Sequence, residues 1–169
     1  RLDLRAPFGA PNNLLELDGE VFFTSIDDRT GFQRIFQLDD SGSTATRLAL
    51  PGIPGVPVEL AALGSDIGVI AFSTGVPQVF RFTPGAQPGS ESAATQLTFF
   101  SASADTGSLT RGGDGEIYFT RTEAASGREL WVLDDLVPGG VRLVQDINLE
   151  PAPASYFPEQ VVAVPRPGP

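Results

Sequence analysis

A repeat constrains this chain more than any single residue does. Phe23, Phe72 and Phe119 are spaced by 49 and 47 residues, Leu14, Leu60 and Leu109 by 46 and 49, and Leu2, Leu48, Leu97 and Leu143 by 46, 49 and 46. A period near 48 carried by short apolar runs means like units, none able to bury its own apolar surface, each needing a neighbour to cover it. Gly (19) and Pro (15) make about a fifth of the sequence, enough for frequent turns and below the proportion of a disordered or collagen-like chain.

Each unit reads as four strands, a to d. In the third unit these are the stretch around Ser108-Leu109-Thr110, then 116–120, 129–133 and 141–147. The first unit repeats them at 20–24, 34–38 and 46–50, and the second at 69–73, 78–82 and 95–99. Strands b and d alternate β-branched or aromatic residues with polar ones, the period of a pleated surface. Asp18-Gly19 and Asp114-Gly115 stand where a tight a–b hairpin turns, because Gly accepts positive φ without steric cost. Proline-rich passages from Pro51 to Pro57 and from Pro151 to Pro158 follow strands d; they predict crossings to the next sheet, since proline cannot serve an interior ladder. No window sustains a helical period. The chain is expected to be all-β.

Four-stranded antiparallel sheets at this period are the blades of a β-propeller. The boundaries expected are 14–50, 58–100 and 107–150 for three blades. Residues 1–17 would close one blade (Leu2-Asp3-Leu4-Arg5) and open the next (Asn13 to Leu17), and 158–164 (Gln160 to Val164) would start another. Closed rings use four to eight blades, so the expectation is about three complete blades of a larger propeller within 1–164. The segment 165–169 reads as a proline-rich tail or linker. With no initiator Met and no signal-peptide pattern, the chain reads as a mature or excised segment.

Gly127-Arg128-Glu129-Leu130-Trp131-Val132-Leu133-Asp134-Asp135, followed by Gly139-Gly140-Val141-Arg142-Leu143-Val144-Gln145-Asp146-Ile147, resembles the bacterial ELWxxDGT (hyalin-like) repeat of large secreted and surface proteins. Ser155, Pro158 and Val161-Val162 match the tail of that repeat. The earlier units depart from it, with Arg34-Ile35-Phe36 and Gln78-Val79-Phe80 in place of Glu-Leu-Trp. They look more like the blades of TolB-like periplasmic propellers: Thr95-Gln96-Leu97-Thr98 and then Asp114-Gly115-Glu116-Ile117-Tyr118-Phe119-Thr120 are similar to the "LT … DGxxIxF" pattern. Both resemblances imply a propeller and an exported location, extracellular, at the cell surface or periplasmic. Neither carries a catalytic motif.

The residue types present narrow the chemistry. Eleven Arg scattered among 21 acids, for a net charge of −10, argue against a nucleic-acid partner. No run approaches the ~20 apolar residues of a spanning helix, so membrane insertion is not expected. With no His and no Cys, the usual nucleophile–imidazole arrangements and transition-metal ligand sets are missing; with no Lys, so are Schiff-base and P-loop chemistry. A carboxylate pair could still cleave a glycoside.

Asp27, Asp28, Asp39, Asp40, Asp134 and Asp135 are the candidate Ca²⁺ ligands, since hard cations take six to eight oxygens from loops. They lie outside any EF-hand or nonapeptide pattern, and Asp is equally at home in turns; no other cofactor is expected. Trp131 is the candidate sugar-stacking platform, against a competing place between blades. Arg34, Arg47, Arg81, Arg121, Arg128 and Arg142 are expected to pair with Glu16, Glu20, Glu116 and Glu129 in weak solvated ladders. The preferred expectation is a non-enzymatic scaffold binding a protein or glycan. The alternatives are a carboxylate glycoside hydrolase or lyase, and a structural subunit assembled through open blade edges.

Overall fold

The computed structural model describes residues 9–39, 42–85, 93–124, 126–134 and 139–145. The expected strands at Leu2–Arg5 and 158–164, the tail 165–169, and Asp40 and Asp135 lie outside them. Every regular element described is a strand: β1 (Asn12–Leu17), β2 (Glu20–Asp27), β3 (Phe32–Leu38), β4 (Ala45–Arg47), β5 (Pro57–Leu63), β6 (Asp66–Ser73), β7 (Val76–Phe82), β8 (Thr95–Gln96), β9 (Thr106–Arg111), β10 (Ile117–Glu123), β11 (Gly127–Leu133) and β12 (Val141–Gln145). They form three four-stranded sheets, β1 to β4, β5 to β8 and β9 to β12, each in sequence order and antiparallel throughout. These are the blades the repeat predicts.

Local chemistry sets the turns. Asp18 and Gly19 both take positive φ (53° and 86°), the geometry of a two-residue hairpin whose twist matches its strands. Thr74 and Gly75 do the same between β6 and β7. The β3–β4 turn is tied by Asp39, whose Oδ1 accepts from the Ser43 and Thr44 amides at 2.9 and 3.1 Å. Each first strand carries one extra residue near its start relative to its partner, a bulge seen at 12–15, 57–59 and 107–110.

β1 lies against β5 and β5 against β9, so the first strand of each blade faces its neighbours' first strands at an inner rim. Two apolar cores fill the boundaries. Leu17, Phe22, Ile35 and Leu48 of the first blade meet Ile67, Val69, Ala71, Phe80 and Phe82 of the second. Leu63, Ile70, Val79 and Leu97 of the second meet Leu109, Ile117, Phe119 and Leu133 of the third. Complete burial of one such side chain contributes about 1.5–3 kcal/mol. Gly68 occupies the second blade's counterpart of Phe22, and Leu109 fills its place: a Cβ there would lie 2.6 Å from Leu109 Cδ2.

The strand register corrects one alignment. Counted from the a–b hairpins, Phe23 and Phe119 share their position with Val69, and Phe72 falls three residues later, beside Pro77 and 38% exposed. Three residues is an odd slip along a strand of period two, so Phe72 points to the opposite face of its sheet. Leu143 is likewise displaced. A shift between Leu130 and Trp131 leaves it opposite Trp131, whereas Leu48 and Leu97 donate their amides to Ile35 and Val79 of the strand beside them.

Candidate functional site at the boundary of the second and third blades

In an antiparallel blade the second-to-third-strand turns and the crossings to the next blade emerge at one end. Between the second and third blades that end opens into a cleft of about 460 Å³, bounded by Phe72, Pro77, Glu59, Asp105, Ser108 and Arg128. Strand alternation turns Phe72 and Pro77 toward the third blade, since the neighbouring Ile70 and Val79 lie in the core shared with it. The inner-strand bulge leaves the amides of Ser108 and Leu109 without ladder partners, and Glu59 reaches across from β5 to take both, at 3.0 and 2.7 Å. Ser108 sits at φ 56° in that bulge.

From the other side, Arg128 donates to Asp105 Oδ2 at 2.8 Å and to the buried Thr120 hydroxyl at 2.9 Å. Thr120 Oγ1 in turn donates to the Gly107 carbonyl at 2.9 Å, as Thr24 does to Asn12 in the first blade at 3.2 Å. Gly107 lets the two charged groups converge. The position its Cβ would take lies 3.3 Å from Glu59 Oε2 and 3.4 Å from Arg128 Nη2.

A buried polar network stands behind the cleft. The Arg121 guanidinium, almost fully buried, lies 3.7 Å from the centre of the Phe100 ring. It donates to Glu123 at 2.7 Å, to the Ala102 carbonyl at 2.9 Å and to Thr106 at 3.3 Å. Gln78 holds Phe100 by its backbone, accepting from the amide at 2.9 Å and donating to the carbonyl at 2.7 Å. Together they fix the crossing that forms one wall of the cleft. Glu129, fully buried, lies opposite Arg121 in register.

Of the aspartates singled out as Ca²⁺ candidates, the four described, Asp27, Asp28, Asp39 and Asp134, are not brought together. Asp27 Oδ1 accepts the Arg29 amide at 3.0 Å and Oδ2 pairs with Arg47 at 3.2 Å; these partners, the amide first, hold its carboxyl below the ordinary value against the effect of burial. Asp28 is exposed in the same turn. Asp39 serves the β3–β4 turn at the other end of the blade, and Asp134 begins the corresponding turn of the third blade. Among the described residues no three acidic groups could share a metal ion. Trp131 packs, partly buried, against the core between the second and third blades.

The expected ladders are replaced by other pairs. Arg142–Glu116, at 3.1 Å, forms as anticipated. Arg47 pairs with Asp27, Arg81 with Asp66, Arg121 with Glu123 and Arg128 with Asp105, while Arg34 lies over the Phe32 ring at 5.3 Å. Glu16 accepts the Gly19 amide and Glu20 the Gln37 side chain. At the β9–β10 hairpin, Asp114 and Glu116 both accept the Tyr118 hydroxyl, at 2.8 and 3.1 Å, so this meeting of two carboxylates is occupied by a phenol. Hydrogen bonding to Asp114 first, then burial and Glu116, pushes that phenol up to about 12.

Sequence reasoning missed Glu59 and Asp105, which belong to stretches far from Arg128 along the chain. The available signal was Gly107, a glycine inside a strand pattern, which marks a bulge or a close approach.

No protein-family model matches the chain, and no curated protein matches it. Solved structures do. TolB from Acinetobacter baumannii is 21% identical with a TM-score of 0.55, the match covering 80% of this chain and 32% of that one. The PQQ-bound form of aldose sugar dehydrogenase from Streptomyces coelicolor is 18% identical with a TM-score of 0.56, covering 93% of this chain and 51% of that one. The chain therefore spans between a third and a half of the length of these proteins. With these neighbours and the blade topology described above, the fold is that of β-propeller blades.

Proposed function

We propose that this chain is a non-enzymatic interaction segment of an exported bacterial protein, meeting a protein or glycan partner at the end of the blades where the cleft opens. One observation carries the reading. The charged groups of the cleft are engaged in holding the polypeptide, Glu59 on two amides and Arg128 on Asp105 and Thr120, which leaves a fixed recognition surface instead of a reactive pair. Ile26, Phe32 and Phe72 stand exposed at the same end, as aromatic and aliphatic anchors of an interaction face do. The likeness of the third blade to the Glu-Leu-Trp repeat supports the surface location, and the TolB-like pattern of the second and third supports export.

The test compares variants on and off this face. Phe32→Asp and Phe72→Asp should abolish capture of envelope components that the wild type and an outer-rim Val144→Asp variant retain. A panel of chromogenic glycosides should meanwhile be left intact. Turnover that disappears in Glu59→Gln or Asp105→Asn would overturn the reading in favour of a carboxylate hydrolase.

A further inference from the structure

We infer that the cleft between the second and third blades is a binding site for an uncharged saccharide. The inference rests on the interaction reading above and names the partner class for that same site.

The charge balance comes first. Glu59 is held by two backbone amides, which spread its charge, and Asp105 is neutralised by the Arg128 guanidinium, so the oxygens of both carboxylates already have donors from the chain. Arg128 already holds one carboxylate, which removes the demand for an anion, and a chain of net charge −10 does not draw anions from a distance. What remains is hydrogen-bonding capacity. Each carboxylate oxygen has a further lone pair to offer, and Ser108 adds a hydroxyl beside them. A ligand that donates and accepts several hydrogen bonds without bringing charge fits this set. Vicinal hydroxyls do so.

Shape agrees with chemistry. Opposite the polar wall stand Phe72, 38% exposed, and Pro77, directly across from it in register. An aromatic face beside a rigid ring offers the flat apolar surface on which the C–H face of a pyranose rests, while the opposite wall takes its hydroxyls. The volume of about 460 Å³ lies within the range of small-molecule sites. The walls are also pre-formed: Arg121 and Gln78 pin the crossing at Phe100 and Ala102, and Gly107 leaves room for Glu59 and Arg128 to stand together.

The test is amide-resolved NMR titration of the whole chain with glucose, N-acetylglucosamine and maltose. Sodium acetate and tetramethylammonium serve as charged counter-probes. At least one saccharide should shift Gly107, Ser108 and Arg128 saturably, with a Kd on the order of 1 mM. Phe72→Ala, on the surface, should weaken it about tenfold, with the remaining spectrum unchanged. Shifts by acetate or tetramethylammonium in place of the sugars would overturn the inference. So would silence of all three saccharides up to about 50 mM, or a saccharide response that maps elsewhere and ignores Phe72→Ala. The same spectra follow the sugar: conversion of a saccharide bound at these residues would contradict the non-enzymatic reading and leave the site standing. Silence with intact capture by the face would remove the site and leave that reading.

Discussion

Between the first and second blades the contact is apolar, with Phe22, Ile35 and Leu48 set against Val69, Phe80 and Phe82. At its inner rim Asn13 donates to the Val58 carbonyl at 2.7 Å. Between the second and third blades the apolar core is backed by buried polar groups, Gln78, Arg121 and Thr106, and the rim is closed by a carboxylate on two amides. The crossings differ in the same sense. Leu48 and Leu97 hold equivalent places, and three residues on the first crossing has Pro51, with no amide to give, where the second has Phe100, held by Gln78. The first crossing is held by backbone hydrogen bonds, from the Ala94 amide to the Pro51 carbonyl and from the Phe72 amide to the Val56 carbonyl, both at 3.0 Å. The second is also held by buried side chains, and the cleft of about 460 Å³ opens there.

The largest effect is expected at the first boundary. Phe80→Ala removes a fully buried ring and should destabilise the chain by about 3–5 kcal/mol in urea unfolding. Arg121→Ala should cost about 3 kcal/mol, because it strips the partners of the Ala102 carbonyl and Thr106 and uncovers Phe100. Hydrogen exchange sharpens the contrast: Arg121→Ala should speed exchange at 102–106 and leave 53–57 unchanged, while Phe80→Ala should do the reverse. Equal responses at both crossings would break the comparison. Gly68→Ala, whose new methyl would meet Leu109 and Leu63 at 2.6 and 2.7 Å, should cost about 1–3 kcal/mol by overpacking.

How much of this was legible follows from what a sequence records. The strands and their order were readable because alternation and turn residues are local: Asp18-Gly19 announces its hairpin, and the Glu-Leu-Trp run falls on β11. The misplacement of Phe72 has a local cause too. The second blade has Val69 where the first has Phe23, and its next aromatic is Phe72, so aligning by aromatic residue slid the strand by three; the shorter b–c turn, Thr74-Gly75 against Asp28 to Gly31, hid the slip. The cleft was illegible because Glu59, Asp105 and Arg128 come from three stretches that meet only after the blades pack. The register of the inner-strand bulges, which turns Glu59 toward the amides of β9, is set by packing and not by residue type.

Smaller effects come from titration. Tyr118 is held protonated to about 12, above the ordinary phenol value of 10, so ultraviolet titration should show a phase near 12 that Tyr118→Phe abolishes. The sign follows from linkage: its contribution is complete below pH 10 and is lost as pH rises through about 12. Asp27 has the opposite sense, since its lowered value makes its contribution present above the ordinary carboxylate range and lost as pH falls through the folded value. Asp27→Asn should therefore flatten the acid limb of the stability curve and leave the alkaline limb unchanged.

The blade account is tested most directly by contacts between methyl groups and backbone across the boundaries, read by NMR in the intact chain. The structure predicts that Leu109 methyls touch Gly68 and Leu63, and that Val69, not Phe72, faces Phe22. A Phe72 ring packed on Phe22, or Leu109 without contact to Gly68, would contradict it.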